Sequence, residues 1–352
     1  MIFRALEIGS GDAFLIEKEG KQILFDSGGS KSKIKYLTQK NKVIDLAICS
    51  HNDSDHSNGF IGLLETPSFE IKEIWLPGIW IPILQFLIDE GVDRNLINLY
   101  FQNIEELNKV RNNNNETYDY NSLVEETDIS LETFDDKLQV ISEMEENQDH
   151  LIYPFIHYHH WYKNEFINLN RIIKIAGLAY KKGSKIRWFK PENQKPSIQN
   201  PNHSFRPLNS TEIIKIDKVS VNNFFKLLYL TNENKYSMVF EFCMENKPII
   251  IFSADSDFSF TNGLSYKNNI IVTAPHHGSE SNKIVYNKIT GDEIIWIRSD
   301  RKSRKRPCQD FKNLNDKYCL SCSIKNHKEE ICFEFNSTNN KWKWKKGLKC
   351  NC

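Results

Sequence analysis

The sequence has no surplus charge of either sign, with 46 lysines and arginines against 46 aspartates and glutamates. So neutral a chain has no global field to draw in a polyanion, and attraction to phosphate would have to come from local patches. Long hydrophobic runs are missing too. The longest, such as residues 249–252, are of strand length, far short of the ~20 apolar residues of a membrane-spanning helix. Residues 1–7 enter a strand-like segment without the basic flank, apolar stretch and small-residue cleavage site of a secretory signal. The expectation is therefore a cytoplasmic protein with no membrane partner. No Gly-x-Ser-x-Gly elbow occurs, which removes the usual cue for a serine nucleophile. No repeat of fixed period occurs either, which argues against a solenoid.

What is present is an ordinary globular composition. Apolar residues make up 39% and charged residues 26% of 352 positions, enough for one large α/β domain with an insertion, or for two domains. Residues 13–17 and 22–25 read as short strands around a Glu19-Gly20 turn, residues 34–39 as a short helix, and residues 44–49 and 71–76 as buried strands. A helix is expected to begin near Phe60. Residues 83–90 and 104–110 are helical in pattern. Residues 112–149 are polar and acidic, and four prolines between 190 and 210 mark a loop. Strand patterns return at residues 238–243, 248–253, 270–274 and 294–298. Four segments follow: residues 1–78 and 216–300 as two halves of one fold, residues 79–215 as an insertion or cap, and residues 301–352 as a basic, cysteine-rich extension.

Of eight cysteines, Cys49 and Cys243 lie in apolar strands and read as buried thiols. Cys308, Cys319, Cys322, Cys332, Cys350 and Cys352 crowd the last stretch. In a reducing compartment such crowding points to metal more than to disulfides. Cys319, Cys322, Cys350 and Cys352 could supply the four thiolates of a structural zinc, with free thiols as the alternative.

The densest chemistry is His51-Asn52-Asp53-Ser54-Asp55-His56, which follows a buried strand. Two imidazoles and two carboxylates within six residues are donors for zinc, manganese or iron. Four such side chains cannot share one helix face, so the stretch reads as a tight loop around a metal pair, with Gly59 turning the chain into the next helix. Alone it could be a solvated polar turn. Three more apolar runs end in similar groups: Leu24-Phe25-Asp26, Ile251-Phe252-Ser253-Ala254-Asp255, and Val272-Thr273-Ala274-Pro275-His276-His277-Gly278-Ser279. Strand ends along one sheet edge can converge, and rigid strands hold ligands well.

Together with Gly9-Ser10-Gly11-Asp12-Ala13, this ordered set resembles the metallo-β-lactamase superfamily, and in particular the hydrolase domain of ComEC/Rec2 competence proteins. The likeness covers roughly residues 1–76 and 216–300. It implies an αββα sandwich of two mixed sheets flanked by helices, and two divalent ions, zinc or manganese. It further implies that His51 and Asp53 hold the first ion, and that Asp55 and His56 hold the second. Asp255 would bridge them, His276 or His277 would complete the second site, and Asp26 would orient the histidine loop from behind. Many members carry histidine where Asp53 stands. The first-ion histidine that many supply between the loop and the bridging aspartate has no counterpart by spacing, although His157, His159, His160 and His203 lie in that interval.

The chemistry expected is attack by metal-activated water, with Asp55 or Asp255 orienting it and Ser279 or a remaining histidine donating to the leaving group or developing oxyanion. The resemblance favours a phosphodiester, and DNA in particular. Arg298, Arg301, Lys302, Arg304, Lys305 and Arg306 could meet phosphates, and Lys341, Trp342, Lys343, Trp344, Lys345 and Lys346 form a second basic, aromatic patch. The alternatives are hydrolysis of a lactone, thioester or phosphoester, and a metal-stabilised subunit without turnover.

Overall fold

The computed structural model describes residues 1–38, 42–89, 160–194, 204–215, 230–231, 236–299, 306–321, 329–347 and 349–350. The chain opens with an antiparallel meander of β1 (Ile2–Ala5), β2 (Phe14–Lys18) and β3 (Lys21–Phe25). Glu19 and Gly20, at φ of 52° and 78°, make the β2–β3 turn, in the left-handed conformation that two-residue hairpins favour. Helix α1 (Lys33–Leu37) leads to β4 (Val43–Ile48), and helix α2 (Ser54–Glu65) to β5 (Glu70–Pro77) and helix α3 (Trp80–Asp89). Helix α4 (His160–Lys181) precedes β6 (Lys185–Pro191) and two short strands, β7 (Phe205–Pro207) and β8 (Ser210–Ile213). Then come β9 (Phe240–Met244), β10 (Lys247–Phe252), β11 (Leu264–Thr273), helix α5 (Val285–Lys288) and β12 (Ile289–Arg298). Helix α6 (Gln309–Lys312), β13 (Lys317–Cys319), β14 (Ile331–Asn336) and β15 (Lys341–Lys346) follow.

Among the described residues these strands form a nine-stranded sheet, in the order β15-β14-β1-β2-β3-β4-β5-β6-β8, and a six-stranded sheet, β13-β12-β11-β10-β9-β7. Both sheets are mixed. β3 to β6 run parallel in the first, and β10 to β13 in the second. Parallel strands are buried on both faces and read as continuous apolar runs, as in Ile249-Ile250-Ile251-Phe252.

Three apolar layers hold the sandwich together. Between the sheets lies an aromatic core in which Phe25 stacks on Phe252 at 4.4 Å between ring centres, with Phe14 and Phe205 also against Phe252. One outer layer joins the nine-stranded sheet to α1–α4 through residues such as Phe60, Trp80, Ile83, Ile172 and Ile175. The other covers the six-stranded sheet with α5 and α6 through Val285, Tyr286 and Phe311. The order is helices, sheet, sheet, helices, the expected αββα sandwich. No helix among the described residues is long and apolar enough to cross a membrane.

The expected boundaries need two corrections. Residues 160–213 are not simply a cap, because β6 and β8 extend the nine-stranded sheet and β7 joins the other. The charged positions Lys185, Arg187 and Lys190 hid β6, although its Trp188 and Phe189 are buried. Nor are residues 301–352 an extension: β13 completes one sheet, and the β14–β15 hairpin pairs with β1 in the other. Trp342, expected in a surface patch, is buried and donates its indole N–H to the Ile249 carbonyl at 3.2 Å. Trp344 is exposed. The helix expected over residues 104–110 lies outside the described residues.

Candidate metal centre

The topology brings two sets of parallel strands to one end of the sandwich with their carboxyl ends together, where open α/β sheets bind ligands. Asp26 follows β3 and His51 follows β4. From the other sheet, Asp255 follows β10, His276 and His277 follow β11, and Ser299 follows β12.

The His51–His56 stretch is not wholly a loop, since α2 begins at Ser54. His51 and Asp53 leave from the strand-to-helix connection. Asp55 and His56 leave from the first helical turn, about 100° apart around the axis. The four groups thus diverge into two pairs. Asp53 occupies the N-cap position, yet its carboxylate makes no capping hydrogen bond; its backbone carbonyl accepts from the His56 and Ser57 N–H groups at 3.0 Å each. The positive end of the helix favours carboxylates here.

Two groups of ligand atoms result. Asp12, His56, Asp255 and His277 form one, and His51, Asp53 and Asp255 the other; within each, the atoms lie within 4.8 Å of one another. Asp255 belongs to both. Its Oδ1 lies 3.1 Å from His56 Nε2 and 3.9 Å from His277 Nε2, while its Oδ2 lies 3.8 Å from His51 Nε2. Asp55 Oδ2 lies 3.2 Å from His277 Nε2. His276 Nε2 approaches the same Asp255 Oδ2 at 3.5 Å, but His276 stands outside both tight groups. His277 thus stands beside His56, and His276 on the His51 side.

Behind each inner histidine stands an oxygen. His56 Nδ1 meets Asp26 Oδ2 at 2.8 Å, and Asp26 also accepts the Ser50 N–H and hydroxyl. His277 Nδ1 meets Asp12 Oδ1 at 2.9 Å, and Ser299 donates its hydroxyl to the same oxygen. We therefore place Asp12 behind His277 and not among the atoms that face a cation. His51 Nδ1 lies 2.8 Å from Ser50 Oγ. Because the Ser50 proton goes to Asp26, the neutral His51 ring donates from Nδ1 and presents a lone pair at Nε2. Fixing the far ring nitrogen in this way is how proteins orient metal-binding imidazoles.

The fit to cations is visible in what stays unpaired. His51 Nε2 is buried without a hydrogen bond. His56 Nε2 and His277 Nε2 point at each other across 3.3 Å. Buried nitrogen lone pairs and carboxylates facing one another are costly unless positive charge lies between them. The nitrogen and oxygen donors suit divalent ions of the zinc or manganese kind.

Without such ions, protons provide the positive charge. Burial opposes charge on His277, but Asp12 and then Asp255 outweigh it and push its pKa up to about 10. His56 is raised well above its ordinary value, with Asp255 and Asp26 overriding burial. Asp255, despite burial, is held well below the usual carboxylate range by His56 and His277. Asp55 is lowered by its hydrogen bond to His277 and by the charge of His56, again against burial. Burial lowers His276; Asp255 pulls it up, while Arg306 and His277 push it down.

The backbone is strained at the same place. Asp26, Ala254, His276 and His277 all have φ between 44° and 53°, in the left-handed region. Such residues cost on the order of 1–3 kcal/mol each and cluster at functional sites. Gly11, at φ 87°, turns the chain so tightly over α2 that a Cβ there would lie 1.5 Å from the Asp55 carbonyl oxygen.

Several expected contacts fall elsewhere. Ser279 caps the turn over Glu280–Asn282, accepting the Ser281 N–H, and is not a donor to the centre. Arg298 is buried and donates to the carbonyls of Ser299 and Ser321 at 3.1 Å each, so it is not placed to meet a phosphate. Arg306 donates to His276 Nε2 at 2.7 Å. Arg301, Lys302, Arg304 and Lys305 lie outside the described residues, as do His157, His159 and His203, whereas His160 opens α4. Cys319 and Cys350 are buried in the same core cluster, while Cys322 and Cys352 lie outside the described residues. The sequence reading gave no role to Asp12, Ser50, Asn282, Ser299 or Arg171. The signal for Asp12 was a carboxylate in a glycine turn beside a buried strand.

The αββα sandwich is of the metallo-β-lactamase kind and carries at its open end a histidine and aspartate cluster that could hold metal. Residues 6–80 match the model of the metallo-β-lactamase superfamily. The chain is also similar to Recombination protein 2 of Haemophilus influenzae, with 37% identity over 75 residues, 19% of this chain and 10% of that protein. The match thus spans about a tenth of that relative's length.

Proposed function

We propose that the chain is a two-metal phosphodiesterase that cleaves nucleic acid, DNA in particular. The observation that carries the reading is Asp255, a buried carboxylate with one oxygen toward His56 and His277 and the other toward His51 and His276. His51 and Asp53 would hold the first ion, Asp55, His56 and His277 the second, and Asp255 both. Bound ions would supply positive charge for a substrate oxygen and a water of lowered pKa.

The remaining chemistry belongs to side chains of the chain. Asp55 is partly exposed and stays ionised, so it can accept a hydrogen bond from the attacking water and orient it. Arg306 and His276 stand on the more open side, where a guanidinium can take a non-bridging phosphate oxygen. Asp53 adds a hard oxygen donor, which suits manganese as well as zinc. The fold hosts many hydrolyses, so the substrate class rests on Arg306 and the local similarity to Recombination protein 2.

The test is cleavage of single- and double-stranded DNA and of bis(p-nitrophenyl) phosphate by the purified chain with manganese or zinc. Activity that disappears in Asp55→Ala and Asp255→Ala is the expected result. Arg306→Gln should raise KM about tenfold with a smaller effect on kcat, the scale of one charge-assisted hydrogen bond. Turnover confined to thioesters or lactones would replace the reading with small-molecule hydrolysis. Bound metal without any turnover would replace it with a non-catalytic subunit.

A further inference from the structure

We infer that Arg171, on helix α4, is a positioning residue for the first-ion half of the centre; the inference rests on the metal-centre reading above. Helix α4 packs along α2, and Arg171 is buried where the two meet the His51–Asp53 connection. Its guanidinium donates from Nη1 to the Asn52 carbonyl and to Asn168 Oδ1 at 3.0 Å, and from Nε to Asn58 Oδ1 at 3.1 Å. Asn52 returns the contact, its side-chain amide donating to the Asn168 carbonyl at 3.2 Å.

Asn52 separates His51 from Asp53, so its peptide sets the direction in which both side chains leave the backbone. Ser57 Oγ grips the same carbonyl at 3.1 Å from the α2 side. This backbone clamp matters because no hydrogen bond among the described residues orients the Asp53 carboxylate, which stands 3.7 Å from His51 Nε2. His56 and His277 differ, because each has its own buried carboxylate behind it. The first-ion half therefore depends on α4 for geometry that the second-ion half obtains from Asp12 and Asp26.

The guanidinium fits this task. No carboxylate among the described residues lies within ion-pair distance of it, although Asp53 and Asp55 act on its charge from farther away. A buried cation without a close partner is costly, and carbonyl and amide oxygens in a planar fork are what an arginine can satisfy. Lysine has a single charged nitrogen and can replace only part of the fork.

The experiment is calorimetric titration of the full chain with Zn²⁺ and with Mn²⁺, alongside absorption spectra of the Co²⁺-loaded protein. His51→Ala and His277→Ala identify which binding step and which absorption belong to each half. The expected result is that Arg171→Met weakens the first-ion step by about 10–100-fold, the scale for groups behind metal ligands. The second-ion step and its Co²⁺ absorption stay within about twofold, and Arg171→Lys recovers part of the loss. A merely structural arginine would weaken both steps together. Should Arg171→Met fail to fold, Asn58→Ala removes one acceptor and should weaken only the first step, by several-fold. Two unchanged steps in Arg171→Met, or in Asn58→Ala, would overturn the inference and leave the metal-centre reading intact. A wild-type chain that binds no metal would overturn both.

Discussion

The two halves of the centre are built differently although they share Asp255. On one side His56 and His277 are 0% exposed, and each ring is locked by a buried carboxylate. On the other, Asp53 is 36% and His276 19% exposed, and the fixed groups behind the rings are neutral, Ser50 and Asn282. Carboxylates behind imidazoles raise their basicity and fix their aim, so on the proposed reading the inner half would hold its ion the more tightly. The outer half trades that grip for access, and it is there that Arg306 stands.

Four measurements probe this contrast. The largest effect is expected from Asp255→Asn, which weakens the one group common to both halves; metal analysis should show both ions lost and hydrolysis abolished. Retention of one ion at full affinity would mean that the halves are independent. Next comes Asp12→Ala, which should lower second-ion affinity by about 10–100-fold and spare the first. An equal loss at both steps in calorimetry would erase the contrast.

The third probe is pH. His277 is held up to about 10 in the metal-free protein, and His56 is raised as well. A raised folded pKa gives stability that is complete below the unfolded value of about 6.5 and is lost as pH climbs toward 10. The metal-free chain should melt at a lower temperature at pH 9.5 than at pH 6. Metal binding displaces the same protons and should tighten over that window, with proton release visible in buffers of different ionisation heat. A melting temperature flat from pH 6 to 9.5 would contradict the arrangement. The smallest effect belongs to Ser279→Ala, which loosens a turn outside both halves; kcat within about twofold of the parent is expected, and a loss of 10²-fold would return Ser279 to the chemistry.

The inner half was largely legible in the sequence because its groups end apolar runs. A carboxylate or histidine within a few residues of Leu24-Phe25, Ile251-Phe252 or Ile271-Val272 sits at a predictable place, past the carboxyl end of a buried parallel strand. The supports were harder to see. Asp12 meets His277 across 265 residues and Arg171 meets Asn52 across 119, and such pairings arise only when sheets and helices have packed. Ser279 and Arg298 show the converse. Both lie beside the right motif, but a turn claims one and buried carbonyls claim the other. The edges of the sandwich were misjudged because the charged positions of β6 and β15 look like surface, whereas Trp188, Phe189 and Trp342 among them are buried.

The pairing of β1 with β14 has a consequence for biosynthesis. Ile2 lies opposite Glu334, so β1 waits for a partner strand translated much later. Until residues 331–346 leave the ribosome, β1 offers an open row of amides and carbonyls next to the hydrophobic Phe3 and Phe14. A nascent chain in that state invites intermolecular strand addition, and nonsense truncation upstream of Ile331 should yield inclusion bodies even though every group of the metal cluster has already been translated.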